Sequence, residues 1–271
     1  MQIALGLAEQ IACDLLEGSG TCTKAARSVA HHLVRAEAEG QTGHGLRRIP
    51  PYLEQLAVGK VQGDVLPDWR AIAASWISID ARHGFAFPAL DLAVDLLRER
   101  AKAQIIAGAG ITRSHHAGVA GHFVEALAEC GLVAMMFSNS PAAMAFHGAH
   151  LPVFGTNPIA FAIPRAGAEP LVIDLSLSQV ARGKIMAARQ RREPIPDGWA
   201  LDCHGRPTND PDAAIAGSMM PVGGMKGSVL ALMVELLSSV LTGAHFSKDA
   251  SSFLDSKGGP PGTGQLLLAI D

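Results

Sequence analysis

The first sixty residues repeat at a helical period. Ile3, Leu7, Ile11 and Leu15 recur every four positions, which predicts an amphipathic helix over 3–17 ended by Gly18 and Gly20. Thr21 or Thr23 is placed to cap a second helix with Ala26, Val29, Ala30, Leu33 and Val34 facing inward. Pro51 suits the first turn of a third helix carrying Tyr52, Leu53 and Leu56. The pattern then changes. Residues 76–80 and 104–111 read as strands, with a helix over 88–102 between them and another over 122–129. Short apolar runs at 132–137, 159–163 and 171–175, bounded by Gly, Pro, Asn or Asp, have the look of buried strands. Good helix formers fill 228–242, and 266–270 is a last strand. The polar, Pro-rich stretch 182–212 reads as a surface excursion. Strands alternating with helices imply an α/β architecture. The expected division is a helical part over 1–75 and an α/β part over 76–271.

Composition narrows the function classes. The 271 residues are 48% hydrophobic and 17% charged, a balance that supports a substantial core. A net charge of −3 argues against nucleic acid as a partner. The four cysteines show no CxxC spacing and read as reduced thiols of a cytoplasmic protein. Acidic Glu9 and Asp14 and the lack of a basic start argue against a signal peptide. The longest apolar candidate for a membrane span, 229–241, is broken by Glu235 and two serines, so no membrane is expected as a partner.

Chemistry concentrates in a few segments. Thr42 to Tyr52 places His44, Arg48 and Tyr52 between glycines and prolines. An arginine can grip a carboxylate through two parallel charge-assisted hydrogen bonds. A histidine exchanges a proton near neutrality, and a tyrosine can orient an oxygen. A solvated basic Gly/Pro loop has the same composition. Ser114-His115-His116-Ala117-Gly118, with His122 beyond it, lies between a predicted strand and a helix, where α/β sheets bind ligands. These histidines are open to acid–base work, to cofactor contact, or to plain hydrogen bonding with the backbone. Metal binding is a weaker reading, because no acidic residue lies between them and adjacent histidines do not easily face one ion. Gly108-Ala109-Gly110 begins like a dinucleotide fingerprint, but Arg113 stands where the third glycine belongs, so a Rossmann site is rejected. Gly223-Gly224-Met225-Lys226-Gly227 opens a helix and can meet an anion, although a plain Gly-rich helix entry looks similar.

Taken in order, seven segments resemble the malate/L-lactate dehydrogenase family of nicotinamide enzymes, the non-Rossmann type. They are residues 43–52, 114–118, 137–144, 154–165, 172–185, 223–227 and 260–271. The resemblance implies a mixed-sheet α/β fold with a helical N-terminal part, a homodimer, and hydride transfer between NAD or NADP and a small 2-hydroxy or 2-oxo acid of the malate, lactate or sulfolactate type. It implies His116 or His44 as the acid/base, and Arg48 on the substrate carboxylate with Tyr52 and Thr156 nearby. It implies a cofactor site lined by His116, Ala117, Gly118, Val119, Ala120, Ser140, Asp174, Leu175, Ser176, Arg182, Gly183 and Lys226, without a metal. Family members also continue past the strand ending at Asp271 with a further helical segment that this chain does not contain.

Three positions depart from the family pattern. Gly43 stands where many members have Ser, and Lys184 where the cyclic-imine reductases have Asp; those two groups form a proton relay in the reductases. The resemblance therefore favours a hydroxy acid over an imine. Met225 replaces a common His. The rival readings are a cyclic-imine (pyrroline- or piperideine-2-carboxylate) reductase, an inactive relative that only binds cofactor or dimerises, and a metal-dependent lyase using His115, His116 and His122.

Overall fold

The structure is a computed structural model describing residues 3–271. Three helices come first: α1 (Leu5–Gly18), α2 (Thr23–Ala38) and α3 (Ile49–Ala57), the last entered through the short 3-10 turn Leu46–Arg48. Strands β1 (Asp68–Ala73) and β2 (Trp76–Asp80) form a hairpin, followed by α4 (Ala86–Gln104), β3 (Ile106–Ser114), α5 (Ala120–Ala128) and β4 (Val133–Ser138). Next come β5 (Met144–Ala145), β6 (Pro152–Phe154), β7 (Ile159–Arg165), β8 (Ala168–Leu175) and α6 (Arg182–Arg191). The chain closes with β9 (Ala200–Leu201), α7 (Pro211–Ala216), β10 (Ser218–Met219), α8 (Met225–Glu235) and β11 (Thr263–Ile270).

Seven strands form the main sheet in the order β1-β2-β3-β11-β4-β7-β8. Only the β2–β3 pair is parallel, joined through α4, so the sheet is mixed, as expected. β11 lies antiparallel between β3 and β4, although more than a hundred residues separate it from either. The glycines that mimic a nucleotide fingerprint serve packing here: a Cβ on Gly108 would lie 2.6 Å from the Trp76 ring.

Several expectations are corrected. The stripe Ile3, Leu7, Ile11 and Leu15 is the outer face of α1, between 44% and 53% exposed; the buried face is Ala8, Ala12, Cys13 and Leu16. Both faces repeat every four residues, and the small side chains let α1 approach α2 closely. Neither threonine caps α2: Cys22 is the cap residue, with extended backbone and no side-chain bond. β8 is an edge strand that exposes Leu171, Ile173 and Leu175, not a buried one. The polar stretch after residue 181 builds α6, β9 and α7. These pack with β5, β6 and β10 around a second core containing Leu177, Ile185, Ile195, Ala200 and Ala214.

The larger core contains Leu16, Val29, Leu33 and Tyr52 from the N-terminal helices together with Ile77, Ile111, Phe123 and Leu267. The helical part and the sheet thus share one interior, and β1 already joins the sheet from residue 68. At the carboxyl end of β3 this interior meets the loop leading into α3, and there the histidines converge.

Candidate active site

The loop ahead of α3 is braced from α2. Glu37 Oε2 accepts from the Leu46 amide at 2.9 Å, and a Cβ on the intervening Gly45 would run into that carboxylate. The brace carries His44 to the end of β3, where its Nδ1 lies 3.0 Å from Nε2 of His116 with the two rings nearly parallel. On the far side, the Tyr52 hydroxyl lies 2.7 Å from His116 Nδ1. Tyr52 is fully buried, and His116 is its one hydrogen-bond partner among the described residues.

That geometry orders the protons. A buried phenol with a single partner must donate, or its proton is left unsatisfied. His116 Nδ1 is then the acceptor, and its proton sits on Nε2. That proton is directed to His44 Nδ1, so His44 carries its own proton on Nε2. No protein group bonds His44 Nε2 among the described residues. The chain Tyr52–His116–His44 therefore ends in one free N–H. The Tyr52 hydroxyl thus contacts His116.

His115 is fixed separately. Gln55 Nε2 donates to the Phe253 carbonyl at 2.9 Å, so Oε1 accepts from His115 Nε2 at 2.8 Å. His122 turns away, its Nε2 2.8 Å from Glu39 on α2. The three histidines do not converge on one point. Among the described residues no three His, Cys, Asp or Glu side chains are grouped to hold a metal ion.

Arg48 supplies the charge. Its Nε donates to the Gly43 carbonyl at 2.7 Å, while its Nη1 is buried without a partner among the described residues. A desolvated guanidinium with an unmet donor is a receptor for a carboxylate. Burial, then the Arg48 charge, pushes His44 down to about 4. The same causes push His115 down to about 3 and hold His116 well below the usual histidine range. Burial raises Tyr52. At neutral pH the imidazoles are neutral.

These shifts set a pH dependence. Unfolded, the histidines titrate near about 6.5; folded, His44 and His115 titrate near 4 and 3. In the window between, the unfolded chain binds more protons, so stability falls as pH falls from about 6.5 towards 4. Each such histidine contributes up to about 1.4 kcal/mol per pH unit. Urea denaturation at a series of pH values checks this. A flat profile across the window would show solvated imidazoles.

The remaining predicted residues lie on the loops at 117–119, 140, 156 and 176 and at the ends of β8, α5, α6 and α8. Gly118 adopts φ +69 with a Cβ position only 2.6 Å from Phe87, so only glycine fits there. Asp174 Oδ2 accepts from the Gly121 amide at 2.8 Å, tying β8 to the start of α5 next to residues 116–120. Ser140 Oγ accepts from the Thr156 amide at 3.1 Å, which joins those two positions, and Ser176 Oγ lies 3.2 Å from Ser178 Oγ. Arg182 and Gly183 open α6, and Arg182 lines a cleft of about 200 Å³ with Ala142, Ala143 and Met219. Gly223 and Gly224, both at positive φ, lead into α8, and Lys226 is exposed on its first turn. Neither Arg182 nor Lys226 bonds to the histidine cluster among the described residues. The sequence reading missed Glu37, Gln55, Lys60, Glu235 and Phe253. Gln55 had a signal, since it lies three residues after Tyr52 on the same helix face.

The family described as malate/L-lactate dehydrogenase matches residues 4–271. The chain belongs to that family. It is an oxidoreductase of the nicotinamide-dependent type. A (2R)-3-sulfolactate dehydrogenase (NADP(+)) of Chromohalobacter salexigens is 54% identical over 99% of this chain and 80% of its own. A Delta(1)-pyrroline-2-carboxylate/Delta(1)-piperideine-2-carboxylate reductase of Pseudomonas putida is 42% identical over 92% of this chain and 74% of its own. Among solved structures, the delta1-piperideine-2-carboxylate reductase from Pseudomonas syringae pvar. tomato superposes with a TM-score of 0.95. It is 39% identical, covering all of this chain and 82% of that one. No helix among the described residues is long and apolar enough to cross a membrane.

Proposed function

We propose that this chain interconverts a 2-oxo acid and its 2-hydroxy acid with NADP, with 3-sulfolactate as the first substrate to try. One observation carries the reading: an unmet guanidinium donor on Arg48 beside a proton chain that ends in a free N–H on His44. The identity to the sulfolactate enzyme supports the substrate and the cofactor.

The residues fit a nicotinamide nucleotide. The Gly223-Gly224 turn, both residues at positive φ, leads into α8, which offers its N-terminus and Lys226 to phosphate. Ser140, Thr156, the end of β8 with Ser176, residues 116–120, Arg182 and Gly183 are the further residues that would hold it. When bound, the nicotinamide supplies or accepts the hydride. Arg48 grips the substrate carboxylate and so orients C2, an effect worth on the order of 7 kcal/mol for a well-aligned pair. His44 Nε2–H meets the substrate oxygen, and His116 and Tyr52 hold that imidazole in the donating tautomer. The substrate carboxylate offsets the Arg48 charge that depresses the imidazoles, so anion binding favours uptake of the proton that reduction needs. In oxidation the chain runs in the opposite sense: His44 Nδ1–H donates to His116 Nε2 and His116 Nδ1–H to the Tyr52 oxygen, which leaves the His44 Nε2 lone pair to take the hydroxyl proton and form the imidazolium.

The test is loss of NADPH absorbance with 3-sulfopyruvate, oxaloacetate, pyruvate and Δ1-pyrroline-2-carboxylate in parallel. Turnover of the sulfonated acid is the expected result. A preference for the imine would favour the second reading, which the identity to the reductases supports and Gly43 and Lys184 oppose. No turnover of any would leave a binding protein only. We also propose a homodimer, because α8 and the π-helical turn Leu236–Val240 after it expose Val229, Leu232, Met233, Leu236 and Val240 together. Light scattering should give twice the 28.2 kDa of the chain; a monomer would reject it.

A further inference from the structure

The segment 247–259 contains none of the residues that the sequence singled out, yet it walls the histidine cluster. Phe253 is buried, with its ring centroid 5.0 Å from that of His115 and 5.5 Å from that of His116. The segment contains no helix or strand that could hold it in place. Ser247 anchors its start on Glu235, and the position of its middle comes from α3 and the turn that follows. Gln55 takes the Phe253 carbonyl, as described above. Lys60, which is 2% exposed, donates to the carbonyls of Ser252, Asp255 and Lys257 at 2.7, 3.0 and 2.6 Å. The Asp255 carboxylate stands further off, at 3.8 Å.

A buried ammonium is costly unless all three protons find acceptors. Here three carbonyls from one short stretch supply them, so the loop has a single seat on the cation. Apolar packing alone would let the loop slide. An ammonium with three directed bonds does not.

We propose that Lys60 is a positioning residue that seats Phe253 as the apolar wall of the substrate pocket, and that this wall limits which 2-oxo acid side chains reach His44 and His116. The proposal rests on the 2-oxo acid reading above. The ring fills the space beside the His116 imidazole that a bulky substituent on C3 of the substrate would need. Small or compact acids pass; branched and aromatic ones meet the ring.

Two variants and their combination test it. Phe253→Ala should raise kcat/KM for phenylpyruvate relative to pyruvate by about tenfold or more, the size expected for opening an apolar pocket. Lys60→Met should move the same ratio in the same direction, and the double variant should move it no further, because both act through one ring. A purely structural role for Lys60 would lower both substrates alike; an unchanged ratio in Lys60→Met overturns the proposal. Where Lys60→Met folds poorly, Lys60→Gln keeps two donors and should give an intermediate ratio.

A second readout needs no turnover. In the free protein, NMR titration of the His116 ring should shift upward towards about 6.5 in Phe253→Ala and Lys60→Met, as water reaches it, and stay put in Phe253→Leu. The other groups facing His116 are Tyr52, His44, His115 and Arg48, and the substitutions leave all four in the chain. A shifted titration without turnover of any 2-oxo acid would keep Phe253 as the wall beside His116 and reject the 2-oxo acid reading. Normal turnover with neither ratio nor titration moved would reject the wall alone.

Discussion

His116→Ala lowers kcat for 2-oxo acid reduction by about 100- to 10,000-fold, the range for loss of a positioned proton-transfer group. The substitution cuts the chain at its middle. Tyr52 keeps a buried hydroxyl with no acceptor, and His44 loses the bond that fixes its tautomer. His44→Ala removes the outward N–H and falls by a comparable factor, since His116 Nε2 then stands further from the substrate oxygen. The double variant should be little worse than the poorer single one, because groups acting as a unit are not additive. Arg48→Lys behaves differently: it keeps the charge but not the fork, and mainly raises KM. Steady-state kinetics of the three histidine variants at saturating substrate decide the matter. Losses that multiply in the double variant would show that His44 and His116 act separately.

Glu235→Ala destabilises the fold by several kcal/mol, since each buried donor left without its acceptor costs about 1–3 kcal/mol. Glu235 is buried, and no cation accompanies it among the described residues; its charge is met by donors instead. Asn157 Nδ2 donates at 2.8 Å, the Ser247 amide and hydroxyl each at 2.6 Å, and the Ser239 hydroxyl at 3.3 Å. Removing the carboxylate strands all four. The network also reaches the site. Asn157 adopts φ +39 next to Thr156, and Ser247 begins the segment that carries Phe253. Glu235→Gln should cost less, since the amide oxygen still accepts, but its NH₂ must face donors. Urea midpoints measure both. A loss below about 1 kcal/mol for Glu235→Ala would show that water replaces the carboxylate.

The sequence exposed the parts of this site that carry unusual chemistry in a short span. His44, Arg48 and Tyr52 were visible because glycine and proline isolate them from the helical pattern on either side. His116 was visible because it follows a strand. Their union was not, because 72 residues separate His44 from His116, and only the shared core brings α3 under β3. The contact of Tyr52 with His116 was not legible, because spacing says nothing about which side of a helix faces the interior. α1 failed for the same reason: two faces shared one period, and packing chose the one with small side chains. Glu235 looked like an interruption in an apolar helix, when it is the acceptor at the centre of a buried junction. Lys60 and Phe253 sit in unremarkable surroundings, and their roles exist only through contacts made nearly two hundred residues apart.

The placement of β11 has a consequence for biosynthesis. β3 and β4 are made early, but each must wait for residues 263–270 before its inner edge is paired. While the ribosome adds the intervening chain, two apolar edges stand open to other nascent polypeptides. Yield in a cell should therefore depend on chaperone supply and on the speed of translation far more than the stability of the finished sheet suggests.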